Sequence, residues 1–190
     1  MSATGFNADL RDIQFVLFEQ LKVHESMAQF DDLADWDIDM YKSVLESAYD
    51  LCDGLIWKTN AQGDEDGCHL REDGEVEIPE CFEGAWNALK EGGWIGLTAA
   101  PEYGGVGLPF PFGVAAGEML TGANPSLAMY AGLSRGVANL LAVFGTDWMK
   151  EQLVERLFAG ELAGTMCLTE AGAGTDVGNN RCKATPSEEE

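Results

Sequence analysis

The chain has 190 residues, 46% of them apolar, which suffices for one sizeable core with room for part of a second domain and removes disorder as the default state. Its 33 acids against 11 bases give a formal net charge of -22, which repels the phosphate backbone of nucleic acid and the anionic face of a membrane. An anionic ligand such as a nucleotide cofactor must then be held by local devices: backbone N–H groups, helix N-termini or a few placed arginines.

Apolar residues at Phe6, Leu10, Ile13, Leu17 and Leu21 recur at three and four, with Asn7 or Asp9 to cap the start, and predict a first helix over 8–24. Met40, Val44, Ala48, Leu51 and Leu55 predict a second over 37–58, paired with the first. Eight acids and one arginine in "DEDGCHLREDGEVEIPE", residues 64–80, read as an exposed loop with room for a short hairpin. Pro79 opens a third helix, "CFEGAWNALKE", which closes at Gly92 and Gly93. The following "GWIGLTAAPEYGGVGLP" is a loop punctuated by five glycines and two prolines. Helices four and five, 111–120 and 125–144, are apolar on most sides and are expected at the centre of the fold. Thr146 caps a sixth, "DWMKEQLVERLF", ended by Gly160. After Gly164, "GTMCLTE" has no polar face at helical spacing and reads as a buried strand; a second strand is expected at "NNRCKAT".

Five cysteines, Cys52, Cys68, Cys81, Cys167 and Cys182, lack CxxC spacing and read as free thiols of a reducing compartment. Cys68, His69 and Cys81 match no common zinc spacing, so no metal site is assigned. The N-terminus shows no secretory signal, and the apolar run 127–144 is interrupted by Arg135 and glycines, which disfavours a membrane span. The expectation is a soluble cytoplasmic protein.

The residues that bear on chemistry lie in "LTEAGAGTDVG", 168–178. Gly172 and Gly174 follow a predicted strand, but Val177 stands where a dinucleotide fingerprint needs its third glycine, and no Gly-Lys-Ser or Gly-Lys-Thr pair makes a P-loop. A tight turn is the plain alternative. The flanking hydroxyls of Thr169 and Thr175, beside main-chain amides left accessible by glycine, favour a planar or anionic ligand.

"MCLTEAGAGTDVG" resembles the flavin-binding signature of the acyl-CoA dehydrogenases, with Ala171 in place of the usual proline and Thr175 in place of a frequent serine. "GGWIGLTAAPEYGGVGLP" and "FGTDWMKEQLVERLFAGELAGTMCLTE" resemble further parts of that family in the same order, so the likeness spans most of 79–178. The first helix and the acidic loop are similar to an N-terminal extension of the family's larger branch, which includes dehydrogenases of 3-methylmercaptopropionyl-CoA. The resemblance implies a mainly helical chain: an extension over 1–78, the helical N-terminal domain over 79–164 and the start of a middle β domain over 165–190. It implies FAD as cofactor, with the backbone of Met166 and Leu168, the Thr169 hydroxyl and the loop through Gly174 and Thr175 at the flavin, and Thr175 facing an acyl-CoA thioester. The implied reaction is α-proton abstraction with β-hydride transfer to flavin, giving a 2,3-enoyl-CoA. The catalytic base, a glutamate in the family, is expected outside this chain, while Glu170 and Asp176 read as structural hydrogen bonders. An electron-transfer flavoprotein as acceptor and a homodimer or homotetramer are implied on the same ground. A non-catalytic subunit or helical binding module of the same fold, and a flavin oxidase or monooxygenase relative, are the alternatives. Arg135, alone in an apolar helix, is expected to meet a ligand phosphate or a loop acid, or to reach the surface. Trp94, Tyr103, Phe110 and Phe112 read as packing rather than as the wall of an acyl cavity.

Overall fold

The computed structural model describes residues 5–33 and 35–185; of the expected domain spans, residues 1–4 and 34 of the extension and 186–190 of the β entry lie outside the described residues. Asp9 and Asp37 cap the first two helical runs, accepting from the backbone N–H of Asp12 at 3.1 Å and of Met40 at 2.8 Å. Helix α1 (Leu10–Gln14) passes into a π-helical turn, Phe15–Gln20, that buries Leu17 and Phe18. The predicted helix over 8–24 stops there. The Leu21 N–H closes on the Val16 carbonyl at 2.9 Å, Lys22 turns left-handed at φ 50, and α2 (Val23–Met27) is a separate short helix.

The second run is longer than its pattern predicts. Helix α3 (Ile38–Leu51) continues through a π turn, Cys52–Ile56, into α4 (Lys58–Asp66), so it ends at Asp66 rather than near Lys58. Acids at a helix C-terminus oppose its dipole. Packing outweighs them: Thr59 and Gly63 are buried, and the Phe82 ring fills the place where a Cβ on residue 63 would stand. The acidic loop then forms the expected hairpin, β1 (His69–Leu70) antiparallel to β2 (Val76–Glu77), exposed throughout.

Helix α5 (Cys81–Glu91), α6 (Phe110–Ala123) and α7 (Pro125–Phe144) match their predicted positions. Thr146 caps α8 (Asp147–Met149), which runs through the π turn Lys150–Val154 into α9 (Glu155–Phe158). Gly160 ends it at φ 71, a left-handed conformation that favours glycine, and a Cβ there would also crowd the Ile95 and Lys90 side chains.

Helix α6 packs against α3 and α7, and α7 against α9 and the π turn before it. The larger core cluster joins residues from both sides of residue 78, among them Leu17, Leu45, Ile56, Phe82, Leu89 and Phe112. Its centre is aromatic. Phe112, with no exposed surface, stacks on Tyr41 with ring centroids 3.9 Å apart and on Phe18 at 5.7 Å, and Trp36 stacks on Tyr41 at 5.4 Å. Such pairs contribute roughly 0.5–1.5 kcal/mol each beyond the area they bury. A smaller cluster, Ala99, Ala138, Val154, Leu157 and Phe158, holds α9 on α7.

Three further expectations change. Helix α7 is central on one side only: Leu127, Ala131, Ser134 and Ala138 are buried, whereas Met129, Leu140, Val143 and Phe144 are exposed. By length and composition it is apolar enough to cross a membrane, yet its buried side is seated against α6 and α9. Phe110 is exposed rather than packed, because it starts α6 at the surface; Trp94, Tyr103 and Phe112 pack as expected. Finally, neither "GTMCLTE" nor "NNRCKAT" forms a strand among the described residues. An extended segment needs a neighbouring strand for its N–H and C=O groups, and neither stretch has one here.

Candidate functional site

The glycine loop is tied to the helical body at its root. The Gly164 N–H donates to the Ser134 hydroxyl of α7 at 3.2 Å, and a Cβ at residue 164 would collide with Val137 Cγ2 at 2.7 Å. Beyond that root, Met166, Leu168, Thr169 and Thr175 are exposed and Gly174 is half-buried. Glu170 and Ala173 exchange backbone hydrogen bonds at 2.8 and 3.3 Å, closing a tight turn over Ala171 and Gly172. Ala173 alone in this loop is buried.

Side chains, not a core, hold the loop in shape. The Glu170 carboxylate accepts from the Arg181 and Cys182 N–H groups, both at 2.8 Å, and these two donors hold its carboxyl below the usual carboxylate range. Asn180 donates to the Leu168 carbonyl at 2.8 Å, and Asp176 accepts from the Asn179 side chain. Both acids of the motif therefore make the structural hydrogen bonds expected of them. Thr169 and Thr175 have no hydroxyl hydrogen bond among the described residues, and nothing lies within 4 Å of a Cβ built on Gly172. Neither Gly172 nor Gly174 sits at positive φ. These glycines are not needed for an unusual backbone; what they supply is room beside the main chain.

An apolar groove and a small void lie beside the site's helices. The groove, of about 480 Å³, runs between α5, α7 and the turn after α9, with Phe82, Trp86, Leu127, Tyr130, Leu162 and Ala163 in its walls. A much smaller void of about 20 Å³, the size of one water, is lined by Leu51, Leu89, Trp94, Leu97 and Leu120, with Arg135 at its side. Arg135 is half-buried, burial lowers its pKa from the usual value, and it has no ion-pair partner among the described residues. The five cysteines are free, and Cys81, instead of standing with Cys68 and His69, donates to the Thr59 carbonyl at 3.8 Å.

The family model described as "Acyl-CoA dehydrogenase, N-terminal domain" matches residues 65–161, which is half of the chain. The chain belongs to the acyl-CoA dehydrogenase family. A 3-methylmercaptopropionyl-CoA dehydrogenase of Ruegeria pomeroyi is 32% identical over 97% of this chain, and a broad-specificity linear acyl-CoA dehydrogenase of Mycobacterium tuberculosis is 33% identical over 94%. An Arabidopsis thaliana isovaleryl-CoA dehydrogenase is 36% identical over 52%. The chain spans 31% of the length of the first relative and 29% of the second, and within the family it covers the helical N-terminal domain.

One polar network at this domain's centre escaped the sequence reading. Asn124, with no exposed surface, accepts from the Leu127 N–H at 3.2 Å and donates to the Thr59 hydroxyl at 2.9 Å, which itself donates to the Ile56 carbonyl at 2.7 Å. "NPSL" signals the cap; no local pattern signals a partner 65 positions away.

Proposed function

We propose that this chain is the N-terminal portion of an FAD-dependent acyl-CoA dehydrogenase that forms a 2,3-enoyl-CoA. What carries the reading is continuity: the family match over 65–161 runs directly into a loop in which Gly172 stands open and the Thr169 and Thr175 hydroxyls are unengaged among the described residues. The residues present fit a flavin, since an accessible main chain and free hydroxyls can meet the polar edge of a planar ring while the motif's acids are engaged elsewhere, Glu170 by the Arg181 and Cys182 N–H groups and Asp176 by the Asn179 side chain.

FAD, when bound, supplies the hydride acceptor. The chain's own contribution is binding and orientation: the Met166 and Leu168 backbone, the Thr169 hydroxyl and the loop through Gly174 hold the ring, and Thr175 orients the thioester. Polarising the thioester carbonyl by fixed donors acidifies the carbon beside it, which makes proton abstraction feasible at neutral pH. The base belongs to a glutamate outside this chain. On this reading 1–78 is an extension, 79–164 the helical domain and 165–190 the entry to a β domain. A cytoplasmic homo-oligomer that passes electrons to an electron-transfer flavoprotein completes it. Arg135 is a candidate partner for a ligand phosphate, and unchanged cofactor affinity in Arg135→Ala removes it.

The test uses the whole polypeptide. Purified protein is expected to be yellow, to bleach when acyl-CoA is added without oxygen, and to lose flavin in Gly172→Val, whose side chain enters the open space. A colourless protein that ignores acyl-CoA overturns the reading.

A further inference from the structure

Three of the 11 cationic side chains, Arg11, Lys22 and Lys42, and one of the two histidines, His24, line a single concavity of about 700 Å³ formed by α1, its π turn, α2 and the start of α3. In a chain of net charge -22, such a grouping runs against the overall field. Two carboxylates also line it, and each is taken: Arg11 pairs with Glu19 at 2.7 Å and Lys22 with Glu25 at 3.3 Å. Both pairs are exposed, so they contribute little and yield readily to a stronger anion. Lys42 has no carboxylate partner among the described residues; its Nζ stands 5.7 Å from the centre of the Phe18 ring.

Two further observations at the same place bear on a ligand. His24 packs on Phe18 with ring centres 5.6 Å apart, and its Nδ1 is buried with no hydrogen-bond partner among the described residues. A buried polar nitrogen left unpaired is costly, and a turn of the ring toward the adjoining cavity brings it to any acceptor held there. Lys22, between the two helices, is the one described non-glycine residue at positive φ, with φ 50 and ψ 45. Strain of this kind is held by surrounding contacts and is found more often at ligand sites than elsewhere.

We infer that this concavity is a binding site for a phosphate group, free or in a small phosphomonoester, with the Lys42 and Lys22 ammonium groups and the His24 ring as donors and Arg11 at its edge. A phosphate offers several strong acceptor oxygens and up to two negative charges, which suits several convergent donors better than a carboxylate does. The site is separate from the glycine loop, and its occupancy does not depend on flavin or acyl-CoA.

Calorimetric titration of the full protein with inorganic phosphate and, separately, with adenosine 3′-monophosphate tests it. Saturable binding at one site is expected, weakened about tenfold by Lys42→Gln, weakened also by added salt, and unchanged by Arg71→Gln in the distant hairpin. Side-chain NMR of His24 should shift on binding. Equal affinity for the two ligands marks free phosphate as the source, and tighter binding of the nucleotide marks a phosphomonoester. Should Lys42→Gln fail to fold, Arg11→Gln and the His24 signal carry the same test. The inference is overturned if neither ligand saturates, or if the Lys42 and Arg11 variants bind as the Arg71 variant does.

Discussion

The helical body over 38–158 and the loop over 164–182 are held by different forces. The body sets Phe112, Tyr41 and Leu45 where water cannot reach them, and its α6 is held on two sides by other helices. The loop buries only Ala173 and relies on Glu170 and Asn180 reaching backbone groups. A surface held by hydrogen bonds to its own ends leaves its main chain and hydroxyls free for another molecule; a packed core leaves nothing free. On the function proposed above, the difference separates the part that folds from the part that would meet a ligand.

The contrast breaks most visibly at Phe112. Replacing it with alanine removes a fully buried ring and its stacking on Tyr41 and Phe18, and should cost about 3–5 kcal/mol, read as a fall in the urea midpoint of the whole domain. A loss below about 1 kcal/mol would mean that the aromatic centre is not what holds the body together.

Asn124→Ala should come next. It removes the cap of α7 and leaves the buried Thr59 hydroxyl short of a partner, for about 1–3 kcal/mol. Thr59→Val combined with it should recover part of that loss, because the two groups then vanish together.

Cys52 sharpens the comparison through pH. Burial pushes its thiol up from the ordinary value near 9.0 to about 12. A group whose folded pKa is raised binds its proton more tightly when folded, so the stability it confers is complete below about pH 9 and lost as pH climbs toward about 12. Thermal midpoints measured across that window should fall, less steeply in Cys52→Ala. Exposed Cys68, Cys167 and Cys182 should react with a thiol reagent in the native state while Cys52 does not.

The smallest effect is expected in the loop. Glu170→Gln should leave the global midpoint unchanged yet speed hydrogen exchange at the Arg181 and Cys182 amides. In the native chain the depressed carboxyl means that this clasp is present above the ordinary carboxylate pKa and lost as pH falls through the lowered one. A large change in global stability would show that the loop belongs to the core after all.

How much was legible varied with the range of the determining interaction. Helix α5, α7 and the capped run from Thr146 were readable because proline, asparagine, threonine and glycine mark their ends within a few residues. The break at Lys22 and the extension of α4 to Asp66 were not, because a left-handed lysine and an acidic helix end both run against local preference and hold only in tertiary context. The strand at "GTMCLTE" failed for a related reason. Period and composition describe a single segment, whereas a strand exists only with its neighbour.

The sequence by itself determined the helical class, the caps and the family motif, since these depend on spacing along one stretch of chain. Tertiary structure alone decided that Asn124 meets Thr59, that Glu170 turns onto the amides of 181 and 182, and that Arg11, Lys22, His24 and Lys42 share one hollow. Partners far apart in the chain become neighbours only when burial of apolar surface folds the helices together, and no local period records that distance.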